Sequence, residues 1–204
     1  MQDFSQNGEQ QIILKYFFGT NPTFLDLGAN DGKTLSNTHA LAILGSDGHI
    51  VEPCSIPFHK AKSLYGHNKY IQVSNVAVGT ENGEFEILSS DSHLKNGDTD
   101  LLSTLKKSET KRWGNTQKFT PQKVKVVDFK TFLESSKLKT FDFISIDIEG
   151  MDYDVLIQMD LSALGCKMLC IETNSIDDQK YIDYCAKFGM KVIHKNGENL
   201  IFTV

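Results

Sequence analysis

The chain has 204 residues, of which 40% are hydrophobic and 23% are charged, and its formal net charge is −5. This length and composition predict one globular domain whose core needs no disulfide or metal for stability. The acidic balance argues against a nucleic-acid partner, which requires a basic face. Since no apolar run reaches about 18 residues and no signal peptide is recognisable, we expect no membrane span and a cytoplasmic enzyme.

In the first half of the chain, apolar runs alternate with helical patterns and turn residues. Residues 1–21 are interpreted as a lead-in that contains a short amphipathic helix at Gln10–Phe18. The predicted strands that follow are Thr23–Leu27, His49–Glu52 and Tyr70–Val78, the last interrupted around Ser74-Asn75, and the predicted helices are Thr34–Leu44 and Pro57–Tyr65. Asn82-Gly83 predicts a tight turn, with Glu84–Ser89 as a β-hairpin arm.

Residues 91–121 are polar and contain the only tryptophan, Trp113. We interpret them as an excursion from the core and expect residues 99–116 to close over a substrate. Lys123–Val127 alternates lysine with valine, which predicts an exposed edge strand. The remaining predicted elements are strands at Phe141–Ile148 and Met168–Glu172, helices at Asp152–Met159 and Asp177–Phe188, and a terminal antiparallel hairpin of Lys191–His194 and Asn199–Val204.

Strands that alternate with helices predict an α/β fold with a mostly parallel sheet and right-handed crossovers. The chain is expected to form a single domain over residues 1–204. Ligands of such sheets bind at the carboxyl ends of the strands. Acids follow or end four predicted strands, namely Asp26, Glu52, Asp147 and Glu172. Four acids at one edge of a sheet indicate a cationic ligand or a metal.

The loop Asp26-Leu27-Gly28-Ala29-Asn30-Asp31-Gly32 follows the first strand and is expected to open a helix. Gly28 and Gly32 allow a tight turn and close approach of a ligand, and a helix N-terminus suits a carboxylate. The spacing fits neither the dinucleotide loop nor the P-loop. Asp26 and Asp31 would repel a pyrophosphate but suit an ammonium and a sulfonium group, and S-adenosylmethionine carries both. The alternative is a capped turn with two solvent-facing acids.

Two further motifs follow in the order that this cofactor would need. In Val51-Glu52-Pro53, an acid at the end of the second strand could accept hydrogen bonds from ribose hydroxyls; the alternative is an unrelated surface acid. In Asn75-Val76-Ala77-Val78-Gly79, Asn75 could bind the adenine edge and Val76 could pack on the base. The alternative for this motif is a turn followed by a core strand.

The run Ile144-Ser145-Ile146-Asp147-Ile148-Glu149-Gly150 places two acids two residues apart. They share a face if the strand continues that far. Neighbouring carboxylates need a positive partner, a shared proton or a metal; the alternative is that one of them caps the next helix. Together with Glu172, these acids could hold magnesium or manganese. His194 is a candidate general base, although a lone histidine in a strand is more often satisfied or exposed.

These motifs together resemble the FkbM family of S-adenosylmethionine-dependent methyltransferases over residues 22–204. The matching stretches are Phe24–Gly32, Ile50–Pro53, Val73–Gly79, Val124–Leu133 and Phe141–Gly150. The resemblance implies a seven-stranded class I (Rossmann-like) methyltransferase fold. It also implies, most often, O-methylation of a hydroxyl on a sugar or another small metabolite. Two departures are Ser145, where the family usually has lysine, and Met151-Asp152, where it usually has a small residue followed by glutamate.

On this hypothesis Asp147 lies nearest the transferring methyl group and acts as a base or a metal ligand, while Glu149 and Glu172 support it or hold the acceptor. The candidate catalytic residues are Asp147, Glu149, Glu172 and His194. The residues expected to contact the cofactor are Asp26, Gly28, Ala29, Asn30, Gly32, Glu52, Pro53, Asn75, Val76 and Asp147.

Three alternative functions remain at this stage. The first is a binding module that has lost turnover, because Ser145 stands where the family usually has lysine. A nicotinamide-dependent oxidoreductase is disfavoured by the missing G-x-G-x-x-G loop. A nucleic-acid methyltransferase is disfavoured because no two prolines are adjacent, so the Asn/Asp-Pro-Pro-aromatic signature is absent. The cluster of Lys106, Lys107, Lys111 and Arg112 could touch a phosphate but is more typical of a solvated loop. The acceptor and the oligomeric state are left open.

Overall fold

A computed structural model describes residues 2–94, 97–114 and 116–204. Its strands are β1 Phe24–Leu27, β2 Gly48–Val51, β3 Ile71–Ser74, β4 Ala77–Gly79, β5 Gly83–Ser90, β6 Phe119–Asp128, β7 Phe143–Ile146, β8 Met168–Glu172, β9 Lys191–Lys195 and β10 Asn199–Thr203. Its helices are α1 Glu9–Tyr16, α2 His39–Ile43, α3 Ser55–Tyr65, α4 Thr110–Trp113, α5 Phe129–Ser135, α6 Asp152–Leu156 and α7 Asp178–Ala186. No helix in the described ranges is long and apolar enough to cross a membrane.

Seven strands form the central sheet in the order β3-β2-β1-β7-β8-β10-β9. The pairings from β3 through β8 are parallel, and β10 pairs antiparallel with both β8 and β9. The predicted fold class, a mostly parallel seven-stranded sheet with a C-terminal antiparallel hairpin, is confirmed.

Side chains on alternate strand positions divide the core between the two faces of this sheet. Phe24 and Phe143 belong to the cluster formed with α1, α2 and α3. Leu25 and Ile144 belong to the cluster formed with α5, α6 and α7. Each of these side chains is fully buried, which stabilises the fold by about 1.5–3 kcal/mol per side chain. Burial on both faces explains why these strands are continuously apolar.

A second sheet has the order β4-β6-β5, with β6 parallel to β4 and antiparallel to β5. The prediction of Lys123–Val127 as an edge strand was therefore wrong, because β6 is the central strand. Val124 and Val126 pack with Ile87 and Ala77, while Lys123 and Lys125 remain exposed. Alternation identifies a half-buried strand but does not reveal how many partners it has.

Two predicted strands differ from the structure. Tyr70–Val78 is divided into β3 and β4, which belong to different sheets, because the chain leaves the central sheet at Asn75. Glu84–Ser89 lies in β5, which begins at Gly83, but this strand pairs with β6 and not with the strand before the turn.

The helix predicted at Thr34–Leu44 is much shorter, since α2 begins only at His39. The Asp31 carboxylate accepts hydrogen bonds from the backbone N–H groups of Lys33 and Thr34, which stabilises a turn there. Leu35 has a left-handed backbone, with a φ of 54°. Such a conformation interrupts a right-handed helix.

Candidate active site

A cavity of about 360 Å³ lies at the carboxyl ends of the central strands. The four acids at the ends of β1, β2, β7 and β8 all line it, as Asp26, Glu52, Asp147 and Glu172. The parallel pairing of β2, β1, β7 and β8 brings these strand ends to one edge of the sheet. Apolar residues such as Leu27, Val51 and Val76 line the same cavity, so it combines apolar surface with a group of acids.

Gly28 forms the tight turn after β1. Its backbone has a φ of 84°, and a Cβ at this position would overlap the backbone carbonyl oxygen of Asp147. On the other side, the N–H groups of Gly28 and Ala29 donate to the carbonyl of Val51 at 3.0 and 3.1 Å. The turn thus fits between the ends of β2 and β7, where no larger residue has room.

Gly32 has a different role from the one predicted. It is not among the residues that line the cavity, and a Cβ there would lie 2.7 Å from Cε2 of Tyr65 in α3. Asp31 also lies outside the lining, because its carboxylate is occupied by the turn to Thr34. The prediction that this loop presents a helix N-terminus to the ligand was wrong, since α2 starts only at His39.

Asn30 and Asp26, on either side of the Gly28 turn, both line the cavity and are both buried. The Asn30 side chain donates to the carbonyl of Thr99 at 2.8 Å, which joins the loop to the excursion. Asp26 accepts a hydrogen bond of 2.5 Å from Thr38 Oγ1. Burial raises the pKa of Asp26 to about 6, since the charged form loses its water.

Glu52 bridges two backbone segments with its carboxylate. Oε2 accepts from the N–H of Asn30 at 3.0 Å, and Oε1 accepts from the N–H of Cys54 at 2.7 Å. The side chain is 4% exposed, and burial raises its pKa to about 8 despite the two donors. Each oxygen keeps further acceptor capacity toward the cavity.

Asn75 does not reach the cavity, whereas Val76 lines it. The Asn75 carboxamide donates to the carbonyls of Glu52 and Pro53 at 2.9 and 2.8 Å. Asn75 thereby supports the corner after β2, and the structure does not place it where a direct adenine contact was predicted.

Asp147, Glu149 and Glu172 form a carboxylate triad, in which one oxygen of each residue lies within 4.8 Å of the others. The condition under which strand alternation would align the first two, a strand that continues to Glu149, is not met. The strand β7 ends at Ile146, and Glu149 has a left-handed φ of 50°. A turn, and not a continued strand, brings Glu149 back beside Asp147.

Asp152 holds this turn in place. Its two carboxylate oxygens accept from the N–H groups of Ile148 and Gly150, each at 2.9 Å. The start of α6 has no side-chain cap from Asp147 or Glu149. Neither Asp147 nor Glu149 caps α6, so that alternative is wrong.

Charge is crowded within the carboxylate triad. Burial raises the pKa values of all three acids well above their ordinary range, and repulsion between the neighbouring carboxylates adds to the effect. Arg112 Nη2 donates to Glu149 Oε2 at 3.1 Å. Among the described residues, Glu172 Oε2 is buried without a hydrogen-bond partner.

The excursion at 91–121 packs against this region, apart from Lys95, Asn96 and Asn115, which lie outside the described residues. Thr104 Oγ1 donates to the carbonyl of Glu149 at 2.7 Å. Trp113 lines the cavity beside His93, with ring centroids 5.2 Å apart. The sequence pattern favoured a solvated loop for the basic cluster here, but Arg112 from that cluster contacts the carboxylate triad.

The N-terminal lead-in also contributes to the cavity wall, which the sequence did not indicate. Gln6 lines the cavity and donates to Glu198 Oε1 at 2.9 Å, while Asn7 donates to Glu198 Oε2 at 2.8 Å. Glu9 is fully buried and accepts hydrogen bonds from Asn196 and Asn199. These contacts attach the N-terminal segment to the turn between β9 and β10.

His194 is not brought to the cavity. It lies in β9, the edge strand of the central sheet, and β10 separates that strand from β8. A general-base role for His194 is therefore not supported. Ser145 does line the cavity, and its hydroxyl lies 3.3 Å from the Asn37 amide nitrogen that donates to it.

Solved structures share this fold at low sequence identity. The tRNA methyltransferase TrmK of B. subtilis is 15% identical with a TM-score of 0.50, covering 99% of this chain and 68% of its own. A protein of the NADB-Rossmann superfamily from Streptococcus agalactiae is 14% identical with a TM-score of 0.50, covering 99% and 70%. Monomeric WbdD is 12% identical with a TM-score of 0.52, covering 99% and 41%. At these identities the likeness concerns the fold alone.

No curated protein matches the chain significantly. The family profile described as the methyltransferase FkbM domain matches residues 26–189, which is most of the chain and runs from within β1 to just after α7. The matched range contains the Gly28 turn, Glu52 and the whole carboxylate triad. The resemblance noted in the sequence is thus confirmed, and the chain belongs to the FkbM methyltransferase family.

Proposed function

We propose that this protein transfers a methyl group from S-adenosylmethionine to a hydroxyl oxygen of a sugar or another small metabolite. The observation that carries the proposal is the convergence of the Gly28 turn, Glu52 and the carboxylate triad on one cavity. Membership of a methyltransferase family supports methyl transfer. Transfer to an oxygen atom in particular is our inference.

The cavity-lining residues after β1, β2 and β3 fit the donor. Gly28, Ala29 and Asn30 line the cavity at the tight turn after β1, so they would hold the methionine end beside the acid Asp26. Glu52 and Pro53 would hold the ribose. Val76 offers an apolar surface for the adenine. Asn75 supports the backbone after β2 by donating to the carbonyl of Glu52.

The charge of the cavity favours a cationic donor over a dinucleotide. Among the described residues that line it, the acids are Asp26, Glu52, Asp100, Asp147, Glu149, Glu172 and Glu198, and Arg112 supplies a positive charge. A pyrophosphate would meet repulsion there, whereas a sulfonium and an ammonium would be attracted. The same argument opposes a nicotinamide-dependent oxidoreductase and a nucleic-acid substrate.

When bound, the donor supplies an electrophilic methyl group. An alcohol is a weak nucleophile, so a nearby base must accept its proton. The Asp147 carboxylate would take this role, since it lines the cavity and its raised pKa would make it a stronger base than an exposed aspartate. Arg112 would hold Glu149 in position through its hydrogen bond, and the paired rings of Trp113 and His93 would cover the acceptor from the excursion side. Positioning of the acceptor close to the methyl group would supply the rest of the catalysis.

A transfer assay tests this proposal. The purified protein is incubated with S-adenosylmethionine and a panel of hydroxylated saccharides, and formation of S-adenosylhomocysteine is measured. We expect product formation that depends on the acceptor, together with thermal stabilisation by S-adenosylhomocysteine and none by NAD. Stabilisation by NAD alone would contradict the proposal. Binding of S-adenosylhomocysteine without turnover on any acceptor would favour the alternative of a binding module that has lost catalysis, for which Ser145 in the cavity is the motivating departure.

A further inference from the structure

When its acids are ionised, the carboxylate triad carries more negative charge than its described neighbours offset. Arg112 is the cation that contacts it, through Glu149 Oε2 at 3.1 Å, and this guanidinium also lies 3.8 Å from Glu109. Asp152 adds a further buried carboxylate next to the turn. One shared guanidinium cannot balance this set of acids.

Glu172 provides the second, separate indication of a ligand. Its side chain is 7% exposed and lines the cavity, and Oε2 has no hydrogen-bond partner among the described residues. A buried carboxylate oxygen without a donor is costly, by about 1–3 kcal/mol or more. Proteins avoid this cost by placing a donor or a cation against the oxygen, and no described residue donates to Glu172 Oε2.

The spacing of the oxygens fits one ion. Two oxygens bound to the same magnesium, manganese or calcium ion, at about 2.0–2.6 Å each, lie no more than about 4–5 Å apart. One oxygen each from Asp147, Glu149 and Glu172 lies within 4.8 Å of the other two. Arg112 occupies a single oxygen of Glu149, which leaves the other oxygen available.

We propose that Asp147, Glu149 and Glu172 bind one divalent cation that prefers oxygen ligands, magnesium or manganese, at the ends of β7 and β8. A ligand set without histidine or cysteine excludes the softer metals. Three carboxylates leave further coordination positions for water or oxygens of an acceptor. The existence of this site does not depend on the methyl donor, whereas its use in catalysis rests on the proposed function.

Manganese binding to the full chain tests the site directly. Chelator-treated protein is titrated with Mn²⁺, and bound metal is followed by electron paramagnetic resonance while melting temperature is recorded. We expect one Mn²⁺ per chain, a rise in melting temperature, and competition by excess Mg²⁺. Glu172→Gln keeps the size of the side chain and removes a ligand, so we expect its Mn²⁺ affinity to fall by about tenfold or more.

Two controls separate metal binding from folding defects. Glu81→Gln changes an exposed glutamate outside the cavity and should bind Mn²⁺ like the unaltered chain. Without metal, Glu172→Gln should melt no lower than the unaltered chain, because it removes an unpartnered buried charge. Absence of Mn²⁺ binding at millimolar concentration, or equal binding by Glu172→Gln, would overturn the site. Loss of methyl transfer with intact Mn²⁺ binding would count only against the proposed function.

Discussion

The backbone carbonyl oxygen of Asp147 occupies the position where a side chain at Gly28 would begin. This contact joins the turn after β1 to the end of β7, so the cofactor loop and the carboxylate triad share one piece of packed backbone. Gly28→Ala would force the two strand ends apart and require a left-handed alanine. We expect the free energy of unfolding to fall by about 2–4 kcal/mol, measured by urea denaturation.

Gly19→Ala is the matched control for that substitution. Gly19 also has a left-handed backbone, with a φ of 77°, but open space surrounds its Cβ position. Its cost should be only the conformational one, about 1–2 kcal/mol. Equal effects of the two substitutions would show that the Asp147 contact is unimportant.

Glu52→Gln should weaken binding of S-adenosylhomocysteine. The carboxylate accepts from two backbone N–H groups, those of Asn30 and Cys54. A glutamine would turn one acceptor into a donor, which disturbs the loop and removes an acceptor for ribose hydroxyls. We expect an affinity loss of about tenfold or more in calorimetric titration. An unchanged affinity would disprove the ribose role of Glu52.

The pH dependence of stability should reveal proton binding by the buried side chain of Glu52. Its pKa rises from 4.5 to about 8 on folding, so the folded chain binds the proton more tightly than the unfolded chain. The resulting stabilisation is complete below pH 4.5 and is lost as the pH rises toward about 8. Asp26, with a pKa of about 6, acts in the same direction.

We therefore expect the free energy of unfolding to decrease between pH 5 and 8. Denaturation series at several pH values measure this slope. Glu52→Gln should flatten the slope, whereas Glu81→Gln, at an exposed position, should leave it unaltered. A slope that is the same in all three proteins would contradict the assignment to Glu52.

Asp147→Asn should abolish turnover while S-adenosylhomocysteine still binds. The substitution preserves side-chain volume and the backbone carbonyl that contacts Gly28, but an amide cannot accept the acceptor's proton as a base. Single-turnover assays and calorimetry on the same sample distinguish the two effects. Turnover like that of the unaltered chain would remove Asp147 from catalysis.

Trp113 should report ligand binding by fluorescence. It is the only tryptophan of the chain, it lines the cavity, and its indole N–H is buried with no hydrogen-bond partner among the described residues. A ligand in the cavity should shift or quench its emission, with saturation at the affinity found by calorimetry. An emission spectrum insensitive to a saturating ligand would place the bound molecule away from the excursion.

Local sequence patterns predict the fold class and the residues around the Gly28 turn. Continuous apolar strands, the Gly28 turn and the strand-end acids are local patterns, and parallel pairing necessarily brings strand ends to one edge. The position of Asp26, Glu52, Asp147 and Glu172 at neighbouring strand ends therefore follows from the order of the chain. Family membership was predictable from the same motifs.

The segments that complete the cavity are distant in the sequence, so their meeting depends on the tertiary fold. Gln6 meets Glu198 across 192 residues of sequence, Arg112 reaches Glu149, and His194 is carried to an edge strand away from the site. The second sheet with β6 at its centre was likewise hidden. Periodicity records which face of an element is buried, but the partner that buries it is set by long-range packing.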